Sequence, residues 1–106
     1  MANPWTGEVA LVIDGTARDM KLTLGALAEL EAELGETSLM ALMQRFENGA
    51  FSARDMLALL AAGLRGGGHE ISPGDLARAE IEGGPMAAAR AAAALLARAF
   101  MLPETV

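Results

Sequence analysis

The sequence has no cysteine, no tyrosine, one tryptophan and a single histidine. Without cysteine the chain can form no disulfide bond, no thiolate nucleophile and no cysteine ligand for a metal. It also lacks a basic cluster, since its 8 lysines and arginines are dispersed and its net charge is −6. Such a charge distribution disfavours binding to nucleic acids and to membrane surfaces.

Targeting and membrane-spanning segments are not found either. Residues 1–15 lack a basic stretch followed by an apolar one, which is the pattern of a secretory signal. The most apolar windows, residues 56–64 and 91–102, are too short or too interrupted by arginine to span a bilayer. We therefore predict a cytoplasmic protein that makes no contact with membranes.

No group of side chains indicates catalysis. A general base needs a partner, and the acidic residue beside His69 is its immediate neighbour Glu70, in a glycine-rich loop. The glycines at positions 66–68 are not followed by the lysine and hydroxyl residue of a phosphate-binding loop. The serines all stand at or near predicted helix starts, namely Ser38, Ser52 and Ser72. We predict a protein that is not an enzyme and that binds no cofactor and no metal.

The strongest local pattern is a helix within residues 49–68 whose two ends are both encoded. Ser52 can cap the N-terminus while Asp55 binds the N–H of the cap, which is a capping box. Phe51 and Met56 occupy the two positions of a hydrophobic staple. The apolar stripe of this helix consists of Leu57, Leu59, Leu60 and Leu64. The glycines that follow are expected to end it.

A β-hairpin is predicted near the N-terminus. Residues 8–13 and 16–22 are strand-like, and Asp14 and Gly15 between them are a strong two-residue turn signal. The turn predicts that Val9 pairs with Met20, Leu11 with Arg18, and Ile13 with Thr16. One face then carries Val9, Leu11, Ile13 and Met20. Because a lone hairpin is marginally stable, this face must pack on the helices that follow.

Four further helices are predicted from caps, glycines and prolines. They are residues 24–34 after Thr23, a helix from Thr37 or Ser38 to Gly49, one from Ser72 to Gly83, and residues 86–102 between Pro85 and Pro103. The first has an apolar stripe of Leu24, Leu27, Leu30 and Leu34. The third is expected to repeat the capping box, with Asp75 binding the cap. The predicted class is α+β, mainly α: a single domain of residues 1–106, with a hairpin (7–22) on a bundle of four or five short helices (23–102).

The chain resembles a known family over nearly its whole length. The residues that carry the resemblance are NPWTGEVALVIDG, LTLGALAELEAELG, the helix within residues 49–68, DLARAEIEGGP and the alanine-rich tail. Together they resemble the small tail-assembly chaperones of gene transfer agents, which are the phage-like particles of alphaproteobacteria. The resemblance implies a non-enzymatic morphogenesis factor that binds the tape-measure protein and assists tube assembly. A structural tail-tube component retained in the particle is the alternative.

Candidate residues for such contacts follow from the pattern. Most methionines are expected in the core, but some can line a groove for a partner helix. The residues expected to be exposed and to bind a partner are Trp5, Met40, Met43, Phe46 and Phe100. Glu29 and Glu33 share a helix face that is either solvated or meets a basic partner. Arg90 and Arg98 either pair with this acidic face or steer a partner. Tape-measure protein, tube subunits and further copies of the chain are the predicted partners.

Overall fold

The computed structural model describes residues 8–34 and 39–101 of the chain. The elements in this part are β1 (Val9–Ile13), β2 (Thr16–Met20), α1 (Leu24–Leu34), α2 (Leu39–Glu47), α3 (Ala53–Gly66), α4 (Pro73–Arg78) and α5 (Gly84–Met101). The predicted α+β class, with an N-terminal hairpin followed by a mainly helical remainder, is confirmed. Both predicted caps of α2, Thr37 and Ser38, lie outside the described residues.

The hairpin has the predicted register. Its pairs include Val9 with Met20, Leu11 with Arg18, and Ile13 with Thr16. Asp14 and Gly15 form the turn with φ values of 50° and 82°, both positive as a type I′ turn requires. The buried face is the expected one and consists of Val9, Leu11, Ile13 and Met20. β2 ends at Met20, earlier than predicted, since the next N–H, that of Lys21, donates to the Gly63 carbonyl at 2.9 Å.

The helix predicted from Ser72 to Gly83 is shorter in the structure, because its last residues pair with β1 instead. α4 ends at Arg78, and Ile81 forms an isolated antiparallel bridge with Ile13. The Asp14 N–H donates to the Glu80 carbonyl at 2.7 Å, and the Asp14 carboxylate accepts the Glu80 N–H at 2.9 Å. The prediction that this helix extends to Gly83 is therefore wrong. Backbone pairing with the hairpin outcompetes the last helical turns.

Helix α3 is the centre of the fold. Its residues from Ala58 to Leu64 are all buried, so every side of the helix is covered. It packs against α1, α4, α5 and β2. The predicted capping box is present: Ser52 Oγ accepts the Asp55 N–H at 3.0 Å, and the Asp55 carboxylate accepts the Ser52 N–H at 2.9 Å. The same carboxylate accepts from Arg45 at 3.3 Å, which ties α3 to α2.

The glycines that follow Leu64 do more than end a helix. A Cβ atom on Gly66 would overlap the Lys21 carbonyl oxygen, and one on Gly67 would overlap the Asp19 carbonyl oxygen. These two positions let the end of α3 lie directly against the backbone of β2 and of Lys21, the residue that follows it. The predicted role as a helix stop is correct for Gly67, the C-cap, but it misses this close approach.

We expect Ser52→Ala to lower the free energy of unfolding by about 1 kcal/mol, because it leaves the first N–H groups of α3 without their cap. Ser52→Gly is the matched control and should cost only a few tenths of a kcal/mol, since glycine is itself a good N-cap residue. Urea denaturation followed by circular dichroism measures both. Equal losses for the two variants would contradict the assigned role of the hydroxyl.

Two other sequence predictions are corrected by the structure. Leu24 is predicted in the core stripe of α1, but it is 83% exposed. Leu30 of the same stripe is buried as predicted, and Ala26, which is not part of the predicted stripe, is buried as well. Thr23 does cap α1, since its Oγ1 accepts the Ala26 N–H at 3.1 Å. In α4, the Asp75 carboxylate accepts a hydrogen bond from Arg78 Nη2 at 2.8 Å. The predicted capping box instead requires this carboxylate to accept the N–H of the cap residue Ser72.

Candidate protein-interaction surface

The residues predicted to bind a partner have different environments. Met40 on α2 is 55% exposed, as expected, and Met43 is half-buried against the core. Phe46 is only 9% exposed, so the prediction that it is exposed is wrong. Trp5 lies outside the described residues, as does the side chain of Phe100, which belongs to α5.

The position of Phe46 has a clear packing reason. Its ring stacks on that of Phe51, with centroids 4.5 Å apart and an interplanar angle of 17°. Phe51 precedes the cap of α3 as the first residue of the predicted staple, and both it and Met56 are packed against the core. Phe46 therefore joins α2 to the start of α3 and stabilises the fold.

Three large apolar side chains of the described residues are exposed: Leu24 at 83%, Met86 at 69% and Met40 at 55%. Each belongs to the first turn of its helix, α1, α5 and α2 respectively. The expectation that most methionines lie in the core is correct for Met20, which is fully buried, and for Met43 and Met56, which are half-buried against the core. Met86 is exposed, as is Met40, which is among the residues predicted to be exposed. The signal that could have identified Leu24 and Met86 is their angular position, opposite the buried residues of the same helix.

The charges of the two outer helices α1 and α5 are of opposite sign. α1 carries glutamates at positions 29, 31 and 33 and no basic residue, whereas α5 carries Arg90 and Arg98 and no acidic residue. Glu29 is paired with Arg65 of α3 at 2.9 Å. Neither arginine of α5 forms a salt bridge within the described part of the chain, and Arg98 Nε is buried there without a hydrogen-bond partner. Pairing of these arginines with the acidic face inside the fold is therefore not seen among those residues.

The surroundings of His69 do not form a catalytic arrangement. Its Nδ1 lies 3.5 Å from Arg18 Nη1, so its contact is to a cation rather than to a carboxylate. The depression beside it, lined by Glu29, Arg65 and Asp75 among others, is wide and open to solvent. Among residues 8–34 and 39–101, no three histidine or acidic side chains are placed to hold a metal ion. No helix in these ranges combines the length and apolarity needed to cross a bilayer.

Comparison with known proteins places the chain in a family. Residues 6–102 match the family described as phage tail tube protein, GTA-gp10. The chain belongs to this family. The match covers the hairpin and all five helices, so it concerns the whole described fold rather than one motif. No curated protein and no solved structure matches the chain significantly.

Membership identifies a tail-related protein of a gene transfer agent, in agreement with the resemblance read from the sequence. The description of the family names a tail tube protein and not a chaperone. Of the two functions inferred from the sequence, the structural tail component is thus the one that agrees better with the family.

Proposed function

We propose that the protein is a structural component of the tail of a gene transfer agent and that it stays in the finished particle. The observation that carries this proposal is the match of residues 6–102 to the GTA-gp10 tail tube family. A tail is built by contacts between proteins, and the described part of this chain exposes one large apolar side chain on each of three helices, α1, α2 and α5. Burying one exposed leucine or methionine in an interface contributes about 1.5–3 kcal/mol.

Particle association tests this proposal. Particles are purified through a density gradient and washed in high salt, and the chain is then quantified by mass spectrometry in the particle and unassembled fractions. We expect the chain to remain with particles that carry tails and to be absent from the heads of a tailless mutant. Recovery of the chain only in the unassembled fraction would overturn the proposal.

A tail-assembly chaperone is a second candidate, and the exposed Met40 favours it. Methionine is flexible and polarisable, and it is common on surfaces that bind varied amphipathic helices. Met40 is 55% exposed at the start of α2, beside the half-buried Met43. As a chaperone, the protein would use the surface around Met40 and Met43 to cover apolar stripes of the long tape-measure chain, and this would limit aggregation of that chain before the tube forms.

We expect Met40→Lys to abolish recovery of a soluble complex when the chain is co-expressed with the tape-measure protein of the same particle. A charged side chain at this position cannot be buried against an apolar helix without a large desolvation cost. Met40→Leu is the matched control and should keep the complex, because it keeps the apolar surface. If wild-type protein leaves the tape-measure protein as insoluble as before, the chaperone function is contradicted.

A further inference from the structure

The outward face of α5 has almost no charge. Met86, Arg90, Ala93 and Ala97 recur at the helical period on the side opposite the buried Ala92 and Leu95. Met86 is 69% exposed, Arg90 and Ala93 are exposed, and Ala97 is half-buried. A surface helix normally presents a polar face to water. The outward face of α5 is instead apolar, and Arg90 is the one charged residue among the four that form it.

The outward face of α1 has the complementary composition. Leu24, Ala28 and Glu31 recur at the helical period on the side opposite the buried Ala26 and Leu30. Leu24 is 83% exposed, and Ala28 and Glu31 are exposed as well. In the part of the chain that the structure describes, the Glu31 carboxylate has no salt bridge. This face is thus apolar with one negative charge, at the end opposite to Leu24.

The spacing of these residues matches when the two helices run antiparallel. Seven positions separate Leu24 from Glu31, and seven separate Arg90 from Ala97. Leu24 then lies opposite Ala97, Ala28 opposite Ala93, and Glu31 opposite Arg90. Met86 lies beyond the last residue of α1 in this register and takes no part in the match. The alanines permit a close approach of the two helices, and Glu31 and Arg90 form an opposite-charge pair. Among the antiparallel alignments, charge complementarity favours this one, because it sets Glu31 opposite Arg90.

The two faces cannot meet within one molecule, because α1 and α5 both pack on α3 through their buried sides. We propose that the chain self-associates head to tail, with the outward face of α5 in one copy seated on the outward face of α1 in the next. The contact is heterologous, so its repetition produces a closed ring or an open filament. The proposal rests on the proposed function, since a tail component acts through repeated copies.

Charge reversal at the two proposed partners tests the contact. The purified full-length chain is studied by sedimentation velocity over a range of concentrations, as wild type, Glu31→Arg, Arg90→Glu and the double variant. We expect wild type to associate, and each single variant to weaken association roughly tenfold, because an attractive pair becomes a repulsive one. The double variant restores opposite charges and should associate like wild type.

Mixing the two single variants gives the sharpest readout. In an equimolar mixture, alternating copies pair the native Arg90 with the native Glu31 at one contact. The next contact pairs the two substituted side chains, which also carry opposite charges, so association is expected to return to the wild-type level. Recovery on mixing also shows that neither variant is misfolded.

Glu47→Arg is the control for the change of net charge, since it makes the same change at an exposed position of α2. Position 47 belongs to neither of the two proposed faces. This variant should therefore associate like wild type. Weakening equal to that of Glu31→Arg would show that net charge, rather than the proposed pair, governs association.

Several results would overturn the head-to-tail contact. These are a monomeric wild-type chain at all concentrations, single variants that associate normally, and a mixture that stays as weak as its components. Because sedimentation uses the isolated chain, these outcomes are independent of particle association. A chain that is found in particles yet stays monomeric would contradict this inference and leave the proposed function intact.

Discussion

Gly66→Ala is expected to lower the free energy of unfolding by about 3 kcal/mol, because no space exists for the added methyl group. The new Cβ would overlap the Lys21 carbonyl oxygen, which is a backbone atom and cannot rotate away as a side chain could. Relief requires that Lys21, directly after β2, moves away from the end of α3, and this would weaken the hydrogen bond from the Lys21 N–H to the Gly63 carbonyl. Thermal unfolding should shift downward by about 15 °C in a domain of this size.

Gly25→Ala is the matched control for this prediction. Gly25 also lies in a helix, α1, and a Cβ there would meet only Thr23 Oγ1 at 4.0 Å. Since alanine is the better helix former, this variant should gain about 0.5–1 kcal/mol. Both substitutions add one methyl group, but Gly66→Ala is expected to lower the free energy of unfolding and Gly25→Ala to raise it. Equal effects in urea denaturation would show that the backbone of Lys21 does not lie against Gly66.

Leu60→Ala is expected to cost about 3 kcal/mol, since it leaves a cavity in the centre of the fold. Leu60 is fully buried in α3, the helix on which α1, α4, α5 and β2 all pack. A domain of ordinary stability has about 5–15 kcal/mol in total, so this loss is a large fraction of it. The denaturation midpoint in urea should fall, with little change in the dependence on denaturant concentration.

Leu24→Ala removes the same atoms from an exposed position and serves as the control. Leu24 is 83% exposed, so its truncation should change stability by less than about 0.5 kcal/mol in dilute solution. A large loss of stability for Leu24→Ala would contradict the orientation of α1. A small loss for Leu60→Ala would contradict the central position of α3.

The local elements could be predicted from the sequence because their signals are local. The hairpin register follows from Asp14 and Gly15, since a two-residue turn fixes which residues pair. The beginning of α3 follows from Ser52 and Asp55, whose side chains satisfy N–H groups within the same turn. In both cases the residues that carry the signal are at most a few positions apart.

Features that depend on distant residues could not be predicted in this way. Residues 80–82 carry no strand signal strong enough to end a helix, and it is their pairing with β1 that does so. Likewise Gly66 and Gly67 resemble a simple helix stop until β2 is brought against them. The side of α1 that faces the core is chosen by packing on α3, so a stripe of leucines alone places Leu24 on the wrong side.

The candidate surface could be predicted only in part for the same reason. Met40 could be identified as an exposed methionine, whereas the burial of Phe46 depends on stacking with Phe51 across a turn. The complementary faces of α1 and α5 become recognisable only once the buried side of each helix is known. The sequence contains the opposite charges of these helices, and the fold determines which of them face outward.

Counting the copies of the chain in isolated tails distinguishes a component of the tail from a factor that acts only during assembly. Tails are detached from purified particles, and the chain is quantified with isotope-labelled peptides against the other tail proteins. We expect several copies per tail, in a ratio that is constant between preparations. Less than one copy per tail, in preparations with tails of full length, would contradict a structural role in the tail.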